Sequence, residues 1–185
     1  MSWFRRIVLY TALSLSANAA GAQTAELMAL REGTMEKLIF AETPETVPDV
    51  AFKSAEGADL KLSDFRGRYV LLNFWATWCA PCKKEMPALD RLQADFGGDR
   101  FEVLTVATGR NSPAGIARFF REGKIENLPM MTDLSSELAQ AMSVLGLPIT
   151  VLIDPDGREI ARLRGDAEWD GESARAIFSA LLEEG

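Results

Sequence analysis

The stretch Tyr69-Val70-Leu71-Leu72-Asn73-Phe74-Trp75 is an almost unbroken apolar run rich in branched and aromatic residues. A strand of that kind is buried on both faces, which demands a sheet covered by helices on each side. The flanking sequence supplies them. A helix is expected from Cys79 to about Phe96, with Met86, Leu89 and Leu92 inward and Gly97-Gly98 as the stop. Phe101 to Ala107 reads as a second buried strand, and Pro113 to Glu122 as a helix with Ile116, Phe119 and Phe120 on one face. Leu128 to Met131 reads as a short strand and Ser136 to Met142 as a short helix. Leu147 to Ile153 is a strand entered through Pro148, Asp154-Pro155-Asp156-Gly157 a turn, Glu159 to Leu163 the return strand, and Glu172 to Leu182 an amphipathic helix. A short hairpin, Val50 to Phe52 with Leu60 to Leu62, precedes the buried strand. The fold class is therefore α/β, a three-layer sandwich around a mixed sheet.

The N-terminus has the make-up of an export signal. Arg5 and Arg6 precede an apolar stretch from Ile7 to about Leu15, and small residues run from Ser16 to Ala22. Residues 1–22 are expected to be a signal peptide cut after Ala22; the rival is an uncleaved inner-membrane anchor. A spanning helix needs about 20 apolar residues, and this run is shorter and broken by Ser14, Ser16 and Asn18. Residues 23–46 read as a helical preamble and a proline-bearing linker, and residues 47–185 as the folded domain. Hydrophobic residues make up 48 % of the chain, enough for a core that needs no disulfide staple. The net charge of −7 argues against nucleic acid or an anionic membrane surface as the partner.

The chain holds two cysteines, Cys79 and Cys82, and no histidine. A structural zinc site needs four Cys or His ligands, and a c-type haem site needs His after the second Cys, where Lys83 stands. No metal and no other cofactor is expected. Thiol–disulfide chemistry remains, in an exported compartment where cysteine pairs oxidise. A structural Cys79–Cys82 disulfide is the alternative, but so small a loop restricts the unfolded chain little. Cys79 opens the helix, where free N–H groups and the macrodipole favour a thiolate. It is the expected attacking sulfur, with Cys82 one turn later as the resolving thiol. Pro81 fixes the first turn, and Trp78 is placed to shield the sulfur.

Glu85 follows Cys82 by three positions on the same helix. It either accepts the Cys82 proton during resolution or stands on the surface and steadies the first helical turns. Pro87, inside the helix, removes one backbone hydrogen bond, so a kink is expected there. Pro148, after Leu147, is either a trans proline opening a strand or a cis residue that presents backbone to an extended partner.

The segment Phe74 to Pro87, with Trp78-Cys79-Ala80-Pro81-Cys82 and Glu85 within it, resembles the active-site segment of the thioredoxin superfamily. More narrowly it is similar to the TlpA/ResA/CcmG branch of periplasmic or membrane-tethered reductases. Leu60 to Gly67 and Gly146 to Gly157 fit the same branch, and Phe101 to Leu104 and Gly165 to Trp169 lean toward TlpA. The resemblance implies a thioredoxin-like domain with an extra strand–helix element between about Asn111 and Gln140. It implies a cis Pro148 and an active-site role for Glu85. Asn73 stands where ordinary thioredoxins carry a buried Asp, and an amide takes no proton, so Glu85 is the better base. Trp169 is expected in the core.

These readings imply a monomeric envelope thiol:disulfide reductase. Catalysis rests on Cys79, Cys82 and Glu85, and substrate is met by Trp78, Leu147 and Pro148. Its expected partners are a membrane thiol carrier as electron donor and protein disulfides of cytochrome c or cytochrome oxidase maturation. The alternatives are a copper-site chaperone, a general periplasmic oxidase, and a peroxiredoxin-type peroxidase. The last needs a Thr three residues before the reactive Cys, where Ala76 stands.

Overall fold

The computed structural model describes residues 22–183. The export-signal expectation falls on residues 1–22 and, Ala22 aside, lies outside them. Residues 22–29 are helical (α1) and lead through a 3-10 turn, Gly33–Lys37, into the first strand. The strands are β1 (Leu38–Thr46), β2 (Phe52–Lys53), β3 (Asp59–Leu60), β4 (Tyr69–Trp75), β5 (Phe101–Thr108), β6 (Met130–Asp133), β7 (Ile149–Ile153) and β8 (Arg158–Arg164). The later helices are α2 (Ala80–Phe96), α3 (Pro113–Gly123), α4 (Glu137–Ala141) and α5 (Glu172–Glu183). All eight strands form one mixed sheet in the order β1-β8-β7-β4-β5-β6-β2-β3. β4, β5 and β6 run parallel, and β7 pairs antiparallel with β4. This is the expected three-layer mixed-sheet architecture.

β4 sits at the centre and divides its side chains between two cores, as strand geometry requires. Leu71 and Trp75 join a cluster with Met86, Leu89 and Leu92 of α2, Ile116 and Phe120 of α3, and Ile177 and Phe178 of α5. Val70, Leu72 and Phe74 face the other side, with Leu138 of α4 and Leu62. Trp75 lies 5.3 Å from the Phe119 ring, so α3 is packed directly over the end of β4. Asn73 lies between Leu71 and Trp75 on the same face, which aims a polar side chain at α2 from the middle of an apolar strand. α3 and β6 supply the extra strand–helix element, and β6 joins the β2–β3 hairpin to the sheet through Lys53 opposite Thr132.

One reading is corrected. Residues 38–46 are an edge strand, not helix and linker. Leu38, Ile39 and Phe40 pair with Leu163, Arg162 and Ala161 of β8, and pairing resumes at Glu45 opposite Glu159 after an irregularity. Pro44 falls in that irregular stretch, where a missing donor on an edge strand costs little. With one sheet face of an edge strand left to solvent, only Leu38 is buried, and the sequence carries no alternation to reveal the strand.

β6 begins two residues later than expected for a definite reason. Asp90 of α2 is buried, and its Oδ1 accepts the backbone N–H groups of Glu126, Asn127 and Leu128 at 3.1, 2.7 and 3.2 Å. Its Oδ2 accepts Asn127 Nδ2 at 2.9 Å. The donors that would extend the strand are held by this carboxylate, so the chain stays a loop until Pro129 has passed.

Candidate active site

β4 ends at Trp75, and a short turn carries the chain to Cys79, the N-cap residue of α2. Cys79 has extended backbone, φ −86° and ψ 106°, while its carbonyl already accepts the Lys83 N–H at 3.1 Å. The Cys82 N–H points at Cys79 Sγ, 3.3 Å away. A sulfur in the N-cap place thus receives a backbone donor and the positive end of a long helix. Cys79 and Cys82 are joined as a disulfide. Cys79 keeps 5 % of its surface exposed and Cys82 none, so an incoming sulfur meets Cys79 first.

Glu85, one turn beyond Cys82, is buried. Its Oε1 accepts Asn73 Nδ2 at 2.9 Å. Its Oε2 accepts the Ala167 N–H at 3.1 Å and Trp169 Nε1 at 2.9 Å. Burial pushes its carboxyl up to about 7; the bonds from Trp169, Asn73 and Ala167 oppose that rise, and the nearby charge of Asp166 adds to it. A surface role for Glu85 is thereby excluded, and its proton is exchangeable near neutral pH. Asp166 is itself held below the usual carboxylate range, chiefly by its hydrogen bond to Lys84 at 3.2 Å.

The sequence placed Trp169 in the core, where it is, but gave no sign that its indole N–H faces Glu85. Asn111 was missed altogether. Its Oδ1 accepts both the backbone N–H and the hydroxyl of Thr77, at 2.8 and 2.9 Å, and its Nδ2 donates to Thr108 O at 2.8 Å. This side chain ties the turn before Cys79 to the end of β5. No periodic or spacing signal marks a single loop amide of that kind.

Trp78 is 65 % exposed, with Nε1 donating to Arg110 O at 3.1 Å, so it stands on the surface beside the motif instead of covering it fully. The Leu147–Pro148 bond is cis, as the resemblance implied. Ile149 pairs with Phe74, so Leu147 and Pro148 run alongside the chain that leaves β4 for Cys79. They line a groove of about 310 Å³ with Leu145, Gly146 and Gly165. Leu145, 96 % exposed, is a further apolar residue at that rim.

The AhpC/TSA family model matches residues 44–160, from the end of β1 into the start of β8. The chain belongs to the AhpC/TSA family. Among curated relatives, the thiol-disulfide oxidoreductase ResA of Geobacillus kaustophilus (strain HTA426) is 33 % identical over 153 residues, covering 83 % of this chain and 84 % of that one. The ResA of Bacillus cereus (strain ATCC 10987 / NRS 248) is 31 % identical over 137 residues, covering 74 % of this chain and 78 % of its own. A crystal structure described as a thiol:disulfide interchange protein DsbE, from Chlorobium tepidum, superposes with a TM-score of 0.66 at 28 % identity over 76 % of this chain and 98 % of that one. This AhpC/TSA member is a thiol–disulfide oxidoreductase of the ResA/DsbE type, with a thioredoxin-like fold and protein disulfides as its general class of substrate. Among the described residues, no helix is long and apolar enough to cross a membrane.

Proposed function

We propose that this oxidoreductase works as a reductase in the cell envelope, receiving electrons from a membrane thiol carrier and passing them to partner disulfides of cytochrome c or cytochrome oxidase maturation. The observation that carries the catalytic part is Glu85: a buried carboxyl, one turn past a fully buried Cys82, with a proton affinity matched to neutral pH.

The exchange begins with the reduced pair. The Cys79 thiolate attacks one sulfur of a partner disulfide, forming a mixed disulfide and releasing the other partner sulfur as a thiolate that takes a proton from solvent. Cys82 then gives its S–H proton to Glu85 and attacks Cys79 Sγ. The Cys79–partner bond breaks, the second partner sulfur leaves as a thiolate that takes a proton from solvent, and two electrons have moved from the chain to the partner. Trp78, Leu147 and Pro148, with exposed Leu145 beside them, form the surface against which an extended partner segment lies. The acidic chain, at −7, favours selected partners over anionic surfaces.

A Cys82→Ser protein tests this. Exposed to envelope extracts, it is expected to accumulate a mixed disulfide through Cys79 that reductant releases, and a Cys79→Ser, Cys82→Ser double variant is expected to capture nothing. Adducts that form equally in the double variant, or a wild-type reduction potential near about −120 mV and not toward about −270 mV, contradict the reductase reading.

A further inference from the structure

Glu85 is surrounded by donors. Oε2 faces the Ala167 N–H and the Trp169 indole N–H, and Oε1 faces Asn73 Nδ2. That shell suits a carboxylate, which only accepts. A protonated carboxyl must also donate, and neither a backbone N–H nor an indole N–H can receive its proton. Of the three groups, Asn73 alone carries an acceptor. Its Oδ1 is buried and has no hydrogen-bond partner, in a residue wholly removed from solvent. A buried carbonyl oxygen in that position loses water and gains nothing in return. The other neighbour of the amide is Thr150 Oγ1, which accepts Asn73 Nδ2 at 2.9 Å, and a hydroxyl both accepts and donates. Both partners of Asn73 can therefore reverse their roles once Glu85 holds a proton.

We propose that Asn73 is a positioning residue whose amide turns over with the proton on Glu85, presenting Nδ2 to the carboxylate and Oδ1 to the carboxylic acid, while the Thr150 hydroxyl rotates to follow. Each protonation state of Glu85 then finds a matching partner, which keeps the carboxyl able both to take and to return a proton inside an apolar core. The proposal rests on the reading of Glu85 as the group that takes the Cys82 proton. The charged groups around this cluster are Asp166, on the loop after β8, and Lys84 of α2 and Lys37 before β1, which both pair with Asp166. β4 and β7 bring the uncharged Asn73 and Thr150.

The test is an NMR titration of the oxidised full-length protein, following the Asn73 side-chain amide protons and the Glu85 carboxyl carbon together. Above the Glu85 midpoint the amide protons are expected to show NOE contacts to the Thr150 side chain. Below it those contacts are expected to vanish, with the same midpoint. In Glu85→Gln the side-chain amide at position 85 imitates the acid, so the contacts are expected to be absent at every pH. Contacts that persist on both sides of the midpoint overturn the proposal. Resolution of a preformed Cys79 mixed disulfide, compared in wild type and Glu85→Gln, separates the two readings. If the amide turns over but resolution ignores Glu85→Gln, the coupling of Asn73 to the Glu85 proton stands, while the base role of Glu85 falls and with it the catalytic use of that coupling. If resolution depends on Glu85 and the amide stays fixed, the base role stands and this proposal falls.

Discussion

Glu85→Gln is expected to make the protein more stable at pH 8 and a poorer catalyst. In the folded chain the Glu85 carboxyl titrates at about 7, against 4.5 for the unperturbed group. The folded state therefore binds more protons than the unfolded state between those limits, and stability falls as pH rises through them. Below about pH 4 both states are protonated, and the carboxyl contributes no penalty. Well above pH 7 the full cost of a buried carboxylate is present, about 3 kcal/mol at 1.36 kcal/mol per pH unit. Gln has nearly the same shape and no charge, so the variant is expected to gain that amount at pH 8 and little at pH 4. Denaturant midpoints across pH check it; parallel curves for the two proteins contradict it. The same variant cannot take the Cys82 proton, and its resolution of the mixed disulfide is expected to slow by about 100-fold at pH 7. Stability and activity move in opposite directions from one atom change, which no merely structural role for Glu85 produces.

Asp90→Ala is expected to be strongly destabilising although it lies away from the sulfurs. One carboxylate holds three backbone N–H groups and the Asn127 amide, and Ala removes their shared acceptor, leaving the Leu128 N–H buried without a partner beside the more exposed Glu126 and Asn127. The expected loss is about 3–4 kcal/mol, or about 10 °C in Tm for a domain of this size. Because the loop at 124–128 links α3 to β6, its release is expected to show as local loss of amide protection from Lys124 to Asp133 before global unfolding. Thiol exchange well below Tm is expected to persist, since the sulfur end of α2 is held separately by Asn111, Asn73 and Glu85. Thermal melts with hydrogen exchange check both halves; a Tm within about 2 °C of wild type contradicts the account of Asp90.

Residues that act through periodicity or local motif were legible in the sequence. The apolar run of β4, the Met86, Leu89 and Leu92 stripe of α2 and the Asp154–Gly157 turn each carry a local physical signal. β1 was not legible, because an edge strand with a proline in an irregular stretch and one buried residue looks like a linker. In the site, the Cys pair followed from spacing, whereas position alone left Glu85 between a proton acceptor and a surface residue, and its active-site role was implied by the resemblance. Asn111, Asp90 and the bond from Trp169 to Glu85 depend on residues 34, 36 to 38 and 84 positions apart. Only the folded sheet brings them together. Trp169 shows the limit well: its burial was readable from its type, its donor role was not.

The central claim is that the opening turn of α2 makes Cys79 an acidic, ready nucleophile while Cys82 waits behind it. Titrating the reduced protein by the pH dependence of alkylation at Cys79 measures this directly. A Cys79 midpoint between about 3.5 and 7.5, with Cys82 protonated well above it, is the predicted result. A Cys79 midpoint at about 8.5, that of a free cysteine, would contradict the account.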